Sequence, residues 1–136
     1  MIVVDTGVLL AAVSSTDRHH TECSELLRAH VGELVTPTPV LAETAWMIES
    51  VVGPGAEAAF VNSAASGELG VEDLNADDYR RCAELIERYA DLGLGLVDAS
   101  VVVVAERLNL TVVATLNRRD FNVVRPKHCE AFELVP

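Results

Sequence analysis

Four acidic residues occupy positions at which a carboxylate could take part in chemistry. Asp5 follows the apolar run 2–4, Glu43 lies in the mostly apolar segment 39–48, and Asp98 and Asp120 follow short connectors. A carboxylate in apolar surroundings is costly to bury unless it is paired or bound to a cation. Several carboxylates at one place repel one another and favour a hard divalent cation with oxygen ligands, Mg²⁺ or Mn²⁺. Such a site suits the activation of water against a phosphodiester.

Each of these acids also has an ordinary structural explanation. Asp98 fits a helix N-cap, Asp5 a turn, Glu43 a solvated helix position and Asp120 a loop. These explanations are favoured when each acid is taken alone. The apolar neighbours of Asp5 and Glu43 favour a functional role for those two.

The hydrophobic pattern predicts strands that alternate with helices. The predicted strands are 2–4, 33–36, 69–74, 111–114 and about 131–135, and the predicted helices are 8–13, 19–30, 40–52, 56–66, 76–91 and 98–109. The four valines of segment 98–109 favour a strand, whereas its length and its AERL ending favour a helix, which we choose. The alternation predicts an α/β domain over residues 1–136, with a mostly parallel sheet and helices on both faces.

The predicted topology brings the acids together. In a doubly wound sheet, ligands bind at the carboxyl ends of the strands. Asp5 ends the first strand, Glu43 lies one turn into the helix after the second, and Asp98 opens the helix 98–109. Asn117 and Asp120 are expected in a loop after the strand 111–114. We therefore expect one acidic site at this edge of the sheet.

Composition limits the possible classes of protein. The 136 residues are 50% hydrophobic and suit one packed domain, and neither a signal peptide nor a membrane span is expected, which favours the cytoplasm. The three cysteines have no metal or redox spacing and are expected to be free. A net charge of −11 disfavours nucleic-acid binding, although bound cations would reverse the field at an acidic site and basic residues gather late in the chain.

Four segments, in order, carry a family resemblance. MIVVDTGVLLAAV, PVLAETAWMI, GLGLVDAS and VVATLNRRDF together span residues 1–121. They resemble the four acidic motifs of PIN domains, at the spacing of the VapC toxins of bacterial VapBC toxin–antitoxin pairs. Each motif is short and weak alone, but the ordered set is fairly specific.

The resemblance implies a PIN-like three-layer fold, with about five mostly parallel strands flanked by helices. It implies a Mg²⁺- or Mn²⁺-dependent endoribonuclease that acts on RNA, forms a homodimer and is neutralised by a small antitoxin. Asp5 and Asp98 match the principal metal ligands, and Glu43 matches the second acid. Thr6 and Thr115 match the supporting hydroxyl groups beside the first and last motifs.

The last motif departs from a common form of the family pattern. Many relatives have Asp where this chain has Asn117, while others have Asn there and an acid three residues later, as Asp120 is here. Asp120 is therefore the candidate fourth catalytic acid and Asn117 a supporting residue. Arg118 and Arg119 are candidates for contact with the RNA backbone, because guanidinium groups bind phosphate in a bidentate way; a solvated turn is the alternative.

Other functions remain open at this point. One is a catalytically weak PIN-like module that binds RNA or protein without efficient cleavage. A response-regulator-like phosphoacceptor is disfavoured, because Asp5 has no acidic neighbour and the one lysine, Lys127, follows a proline. The helices 40–52 and 56–66 carry more apolar residues than one core face needs, which predicts an antitoxin groove and a dimer face. Those residues are Leu41, Trp46, Met47, Ile48, Val51, Phe60 and Val61.

Overall fold

The computed structural model describes residues 1–136. Its elements in chain order are β1 (Ile2–Val4), α1 (Thr6–Val13), α2 (His20–Ala29), β2 (Leu34–Pro37), α3 (Thr38–Val51), α4 (Pro54–Ser66), β3 (Gly70–Glu72), α5 (Ala76–Arg88), a 3-10 turn (Ala90–Leu92), α6 (Leu96–Leu108), β4 (Val112–Ala114), α7 (Arg118–Val123) and β5 (Glu133–Val135). None of the helices has the length and apolar character needed to cross a membrane.

The five strands form one sheet in the order β3-β2-β1-β4-β5, and every pairing is parallel. Val3 in β1 is paired with Val35 on one side and with Val113 on the other. The chain adds β2 and β3 on one side of β1 and then returns to add β4 and β5 on the other side. Ligand sites of such sheets lie at this change of direction, outside the carboxyl ends of the strands. Here these are the ends of β1 and β4.

Helix α6 is the buried helix of the fold and explains the four successive valines. All residues from Ala99 to Ala105 are buried, and α6 packs against β1, β2, α3 and α5. A helix that is apolar on all sides belongs in a core, so the prediction of a helix rather than a strand is confirmed. The core is one continuous hydrophobic cluster, and the three cysteines are free.

The structure corrects several predicted boundaries. The segment after β4 was expected to be a loop, but Arg118–Val123 forms α7, which the buried ring of Phe121 holds against the core. Thr6 and Gly7 were predicted as a turn but begin α1, because the carboxylate of Asp5 caps this helix. Likewise α4 begins at Pro54 and includes Gly55, so the chain breaks at Gly53, where φ is 133°.

Candidate active site

Asp5 is held rigidly at the carboxyl end of β1. Its backbone N–H donates to the carbonyl of Ala114 at 2.9 Å. Its Oδ1 accepts from the backbone N–H of Thr6 at 2.8 Å, and its Oδ2 accepts from the hydroxyl group of Thr115 at 2.8 Å. The side chain is buried, and this burial, reinforced by the charge of Glu43, raises the pKa of Asp5 although both hydrogen bonds oppose the shift.

A pocket of about 440 Å³ opens at this edge of the sheet. Three of the predicted acids line it, Asp5 after β1, Glu43 in the second turn of α3, and Asp98 in the first turn of α6. Burial, followed by the charges of Asp5, Asp120 and Glu43, raises the pKa of Asp98 to about 6. Three distant parts of the sequence thus place mutually repelling carboxylates around one space.

Asp120 lies beside this pocket and does not line it. Its Oδ2 accepts from Nδ2 of Asn117 at 2.9 Å, and its Oδ1 accepts from Nε of Arg119 at 3.0 Å. The bond from Asn117, and then that from Arg119, lower the pKa of Asp120. Both carboxylate oxygens already have donors, while Asn117 itself lines the pocket. Asp120 therefore acts on the pocket indirectly. Its charge helps to raise the pKa of Asp98, and its carboxylate accepts a hydrogen bond from the side-chain amide of Asn117, which lines the pocket.

Two threonines support the site in different ways. Thr115 is fully buried, and its Oγ1 donates to Asp5 and accepts from the backbone N–H of Asn117 at 3.0 Å. Thr6 lines the pocket, and its buried Oγ1 has no hydrogen-bond partner. A buried hydroxyl group without a partner costs free energy. Thr6 is therefore available to a ligand or a water molecule in the pocket.

The two arginines predicted to contact RNA do not line the pocket. Arg118 is exposed, and its guanidinium group donates to the carbonyl oxygens of Leu134 and Pro136 near the C-terminus. Arg119 has an 81% exposed side chain and is paired with Asp120. Both guanidinium groups are therefore engaged within the chain.

Three pocket residues were not among the predicted site residues: Gly7, Met47 and Leu116. Gly7 and Leu116 each directly follow a predicted site threonine, and Met47 lies one helical turn after Glu43. Their closeness to predicted site residues is the sequence signal that could have identified these three. Met47 was predicted for the antitoxin groove instead.

The donor set of the pocket fits a hard divalent cation. Carboxylate, hydroxyl and amide oxygens are the ligands that Mg²⁺ and Mn²⁺ prefer. The raised pKa of Asp98 shows that its negative charge is unfavourable in this pocket, and a cation would stabilise that charge. The hydroxyl group of Thr6 is buried without a partner, and a water molecule bound to the cation would give it one. As positioned, no three of the carboxylates are close enough together to bind one ion.

Comparison with known proteins agrees with this geometry. The model of the PIN-domain family matches residues 2–125. Ribonuclease VapC26 of Mycobacterium tuberculosis is 30% identical over 135 residues, which cover 99% of this chain and all of that protein. The crystal structure of VapC20 from M. tuberculosis, a toxin that cleaves the sarcin–ricin loop, has a TM-score of 0.77 and 24% identity, over 83% of this chain and 87% of that one. A toxin–antitoxin complex from Klebsiella pneumoniae has a TM-score of 0.68 and 19% identity, over 91% and 92% of the chains.

The chain therefore belongs to the PIN-domain family. Its 30% identity with VapC26 over nearly the full length places it with the VapC ribonucleases of that family. The predicted fold and the VapC-like resemblance are confirmed, and the sheet is parallel throughout.

Proposed function

We propose that this VapC-type toxin is a Mg²⁺- or Mn²⁺-dependent endoribonuclease that cuts RNA at the pocket of Asp5, Glu43 and Asp98. The observation that carries the proposal is the meeting of these three carboxylates, from three separate elements, around one space. The relative VapC26 is a ribonuclease, which supports RNA as the substrate. Residues 1–136 would act as one domain around the single core, in the cytoplasm where RNA and an antitoxin are present.

The chain's own residues divide the work as follows. Asp5 and Asp98 would hold the ion, which when bound supplies an activated water and stabilises charge on phosphorus. The N–H of Thr6 and the hydroxyl group of Thr115 keep the carboxylate of Asp5 in one orientation. Glu43, which lines the pocket from α3, would orient the attacking water and accept its proton. The free hydroxyl group of Thr6 would donate to that water or to a phosphate oxygen.

The test is cleavage of a mixed single-stranded RNA in Mn²⁺ by the wild type, Asp5→Asn and the control Asp91→Asn. Asp91 is an exposed acid in the 3-10 turn, outside the pocket. We expect Asp5→Asn to lose at least about 100-fold in rate, the contribution typical of a positioned catalytic group, and Asp91→Asn to lose nothing. Wild-type cleavage by Asp5→Asn, or full activity in EDTA, would overturn the proposal.

A second candidate function is an RNA- or protein-binding module with little cleavage. It is favoured by the two donors that already occupy both oxygens of Asp120, the fourth acid. A wild-type protein that binds the RNA in Mn²⁺ but leaves it intact would select this function.

We also propose that an antitoxin segment binds an apolar groove of about 400 Å³ between α1, α2 and α4. Its walls include Leu9, Leu27, Val31, Phe60 and Leu69. The groove expected from the sequence lay on α3 and α4, but Ile48 of α3 is buried in the core. The toxin–antitoxin complex with this fold supports an antitoxin as partner.

The predicted homodimer remains a proposal. Exposed Val51 and Val52 at the end of α3 and Val61 on α4 offer apolar surface for a second copy. Sedimentation of the wild type and of Val52→Asp at micromolar concentration tests it: a dimer that the variant dissociates is expected, and a monomeric wild type would contradict it.

A further inference from the structure

Trp46 is the most exposed large hydrophobic side chain of the protein, at 68%. It lies on α3, one helical turn after Glu43 and next to Met47, and both of those residues line the acidic pocket. On a helix, residues three apart are neighbours on the surface. Trp46 is therefore solvent-exposed on α3, one helical turn from the pocket residue Glu43.

Along α3, the neighbours of Trp46 do not form an apolar patch of the kind that binds proteins. Its neighbours one turn away along α3 are Ala42, Glu43, Glu49 and Ser50, none of which is a large apolar residue. Protein interfaces bury an aromatic anchor within a contiguous apolar patch. A single flat ring among small and charged side chains is instead suited to stacking on one nucleobase, since every base has a π face.

The charges near the pocket also favour base stacking at Trp46. The neighbours of Trp46 on α3 include Glu43 and Glu49, which repel phosphate groups. At the start of α7, directly after the pocket residue Asn117, the guanidinium groups of Arg118 and Arg119 are engaged within the chain. Base stacking would add affinity for a nucleic-acid strand without needing a positively charged side chain at this place.

We propose that Trp46 is a stacking platform for one unpaired base of the RNA substrate, close to the bond that is cut. This inference rests on the proposed function. One helical turn is about 5.4 Å along α3, and stacked nucleotides advance about 3.4 Å, so the base lies one or two nucleotides from the pocket. Trp46 then selects single-stranded RNA, because a paired base does not offer its face.

The kinetic test compares Trp46→Phe, Trp46→Leu and Trp46→Ala with wild type in Mn²⁺, on one short unpaired RNA. Loss of one stacked base corresponds to roughly a tenfold loss of affinity. We expect KM to rise about tenfold in the Leu and Ala variants, with kcat within about twofold of wild type, and little change in Trp46→Phe. Tyr79→Ala on α5, which removes another exposed aromatic ring outside the pocket, is the control and should leave KM unchanged. A Leu variant with wild-type KM would overturn the proposal.

The protein has one tryptophan, so its fluorescence reports on Trp46 alone. We expect unpaired RNA to quench this emission, in EDTA as well as in Mn²⁺, and a blunt-ended RNA duplex of two separate strands to leave it unchanged. This binding measurement does not depend on cleavage, so it separates a failure of stacking from a failure of the proposed nuclease activity. An emission that shifts with protein concentration or on adding antitoxin, and does not respond to RNA, would assign Trp46 to a protein contact and overturn the inference.

Discussion

The hydroxyl group of Thr115 donates a 2.8 Å hydrogen bond to Oδ2 of Asp5, across 110 residues of sequence. This bond joins the carboxyl ends of β4 and β1, the two central strands that border the pocket. Asp5 is buried, so each donor to its carboxylate stabilises the charged form. The geometry of the first acid is therefore set by a residue of the last motif.

Replacing Thr115 with Val removes this donor while keeping the shape of the side chain. We expect the free energy of unfolding at pH 8 to fall by about 1–3 kcal/mol, the cost of leaving a buried polar group without its partner. Thr115→Ser should keep most of the stability, and Thr111→Val, at an exposed position just before β4, is the control. The measurement is urea unfolding; equal stability of Thr115→Val and wild type would contradict the role of the bond.

Asp98 should make the metal-free protein less stable as the pH rises. Its pKa in the folded protein is about 6, above the ordinary value of 3.8, so the folded state binds the proton more tightly than the unfolded chain does. This stabilisation is complete below about pH 4 and is lost as the pH rises through about 6. The full two-unit shift would be worth about 3 kcal/mol, which solvent screening of this half-buried group reduces to about 1–2 kcal/mol.

Asp98→Asn should therefore flatten the pH profile of unfolding in EDTA and leave stability at pH 8 equal or higher. In Mn²⁺ at 100 times its dissociation constant, the wild type should gain about 2.7 kcal/mol, and the variant should lose most of that gain. An equal gain from metal in both proteins would remove Asp98 from the ligand set.

Asp120 and Asn117 form a pair whose two members should respond differently. Asp120→Ala is expected to lower RNA cleavage by about 100-fold while the protein still folds. Asn117→Asp replaces the 2.9 Å hydrogen bond between amide and carboxylate with two facing carboxylates. Because these repel each other, the free energy of unfolding in EDTA should fall, and RNA cleavage should depend more steeply on Mn²⁺ concentration. Cleavage measured against Mn²⁺ concentration tests both. An Asp120→Ala protein that folds and cuts like wild type would reduce Asp120 to a structural residue of α7.

Far from the pocket, Glu106 anchors the segment before β5. It accepts two hydrogen bonds from Arg81, at 2.9 and 3.0 Å, and one from the backbone N–H of Lys127 at 2.7 Å. Glu106→Gln should cost about 1–3 kcal/mol because it leaves the largely buried Arg81 with only the exposed Glu84 as its charge partner. The control is Arg80→Ala, since the Arg80–Asp77 pair is 72% and 90% exposed and should contribute under about 1 kcal/mol. A change in kcat in Glu106→Gln would contradict a purely structural role.

A substitution at Val31 tests whether the antitoxin binds the groove between α1, α2 and α4. It is 57% exposed on the groove wall, so a charge is tolerated there in the free protein. Val31→Asp should weaken binding of a co-expressed antitoxin at least tenfold, measured by competition, and leave RNA cleavage intact. Val123→Asp, on exposed surface outside the groove, is the matched control; equal antitoxin affinity of the two variants would move the antitoxin elsewhere.

The sequence predicted the parts of the fold that are marked by continuous apolar runs. The buried helix α6 and the short valine strands follow directly from apolar runs whose lengths distinguish helix from strand. Helix α7 gave no such signal, because its six residues are mostly polar and it is stabilised by the burial of Phe121 against the core. Isolated helices this short are not stable, so only tertiary contacts define it.

The sequence allowed us to predict which acidic residues form the site, but not how their side chains are oriented. The ends of parallel strands brought Asp5, Glu43 and Asp98 together as expected. The orientation of Asp120 depends on two donors, Asn117 and Arg119, that local pattern does not place. The groove moved from α3 to α1 and α2 because helix packing decides which apolar face remains open.

The strand order has a consequence for biosynthesis. β1 lies between β2 and β4, so during synthesis it gains its second neighbour only after β4 has emerged. Contacts this distant in sequence form late, since the chain must first close a long loop. A nascent or prematurely terminated chain that ends before Thr115 lacks one of the two donors to the carboxylate of Asp5, and it lacks Leu116 and Asn117 from the pocket lining. We therefore expect translation products that end before Thr115 to be inactive in RNA cleavage.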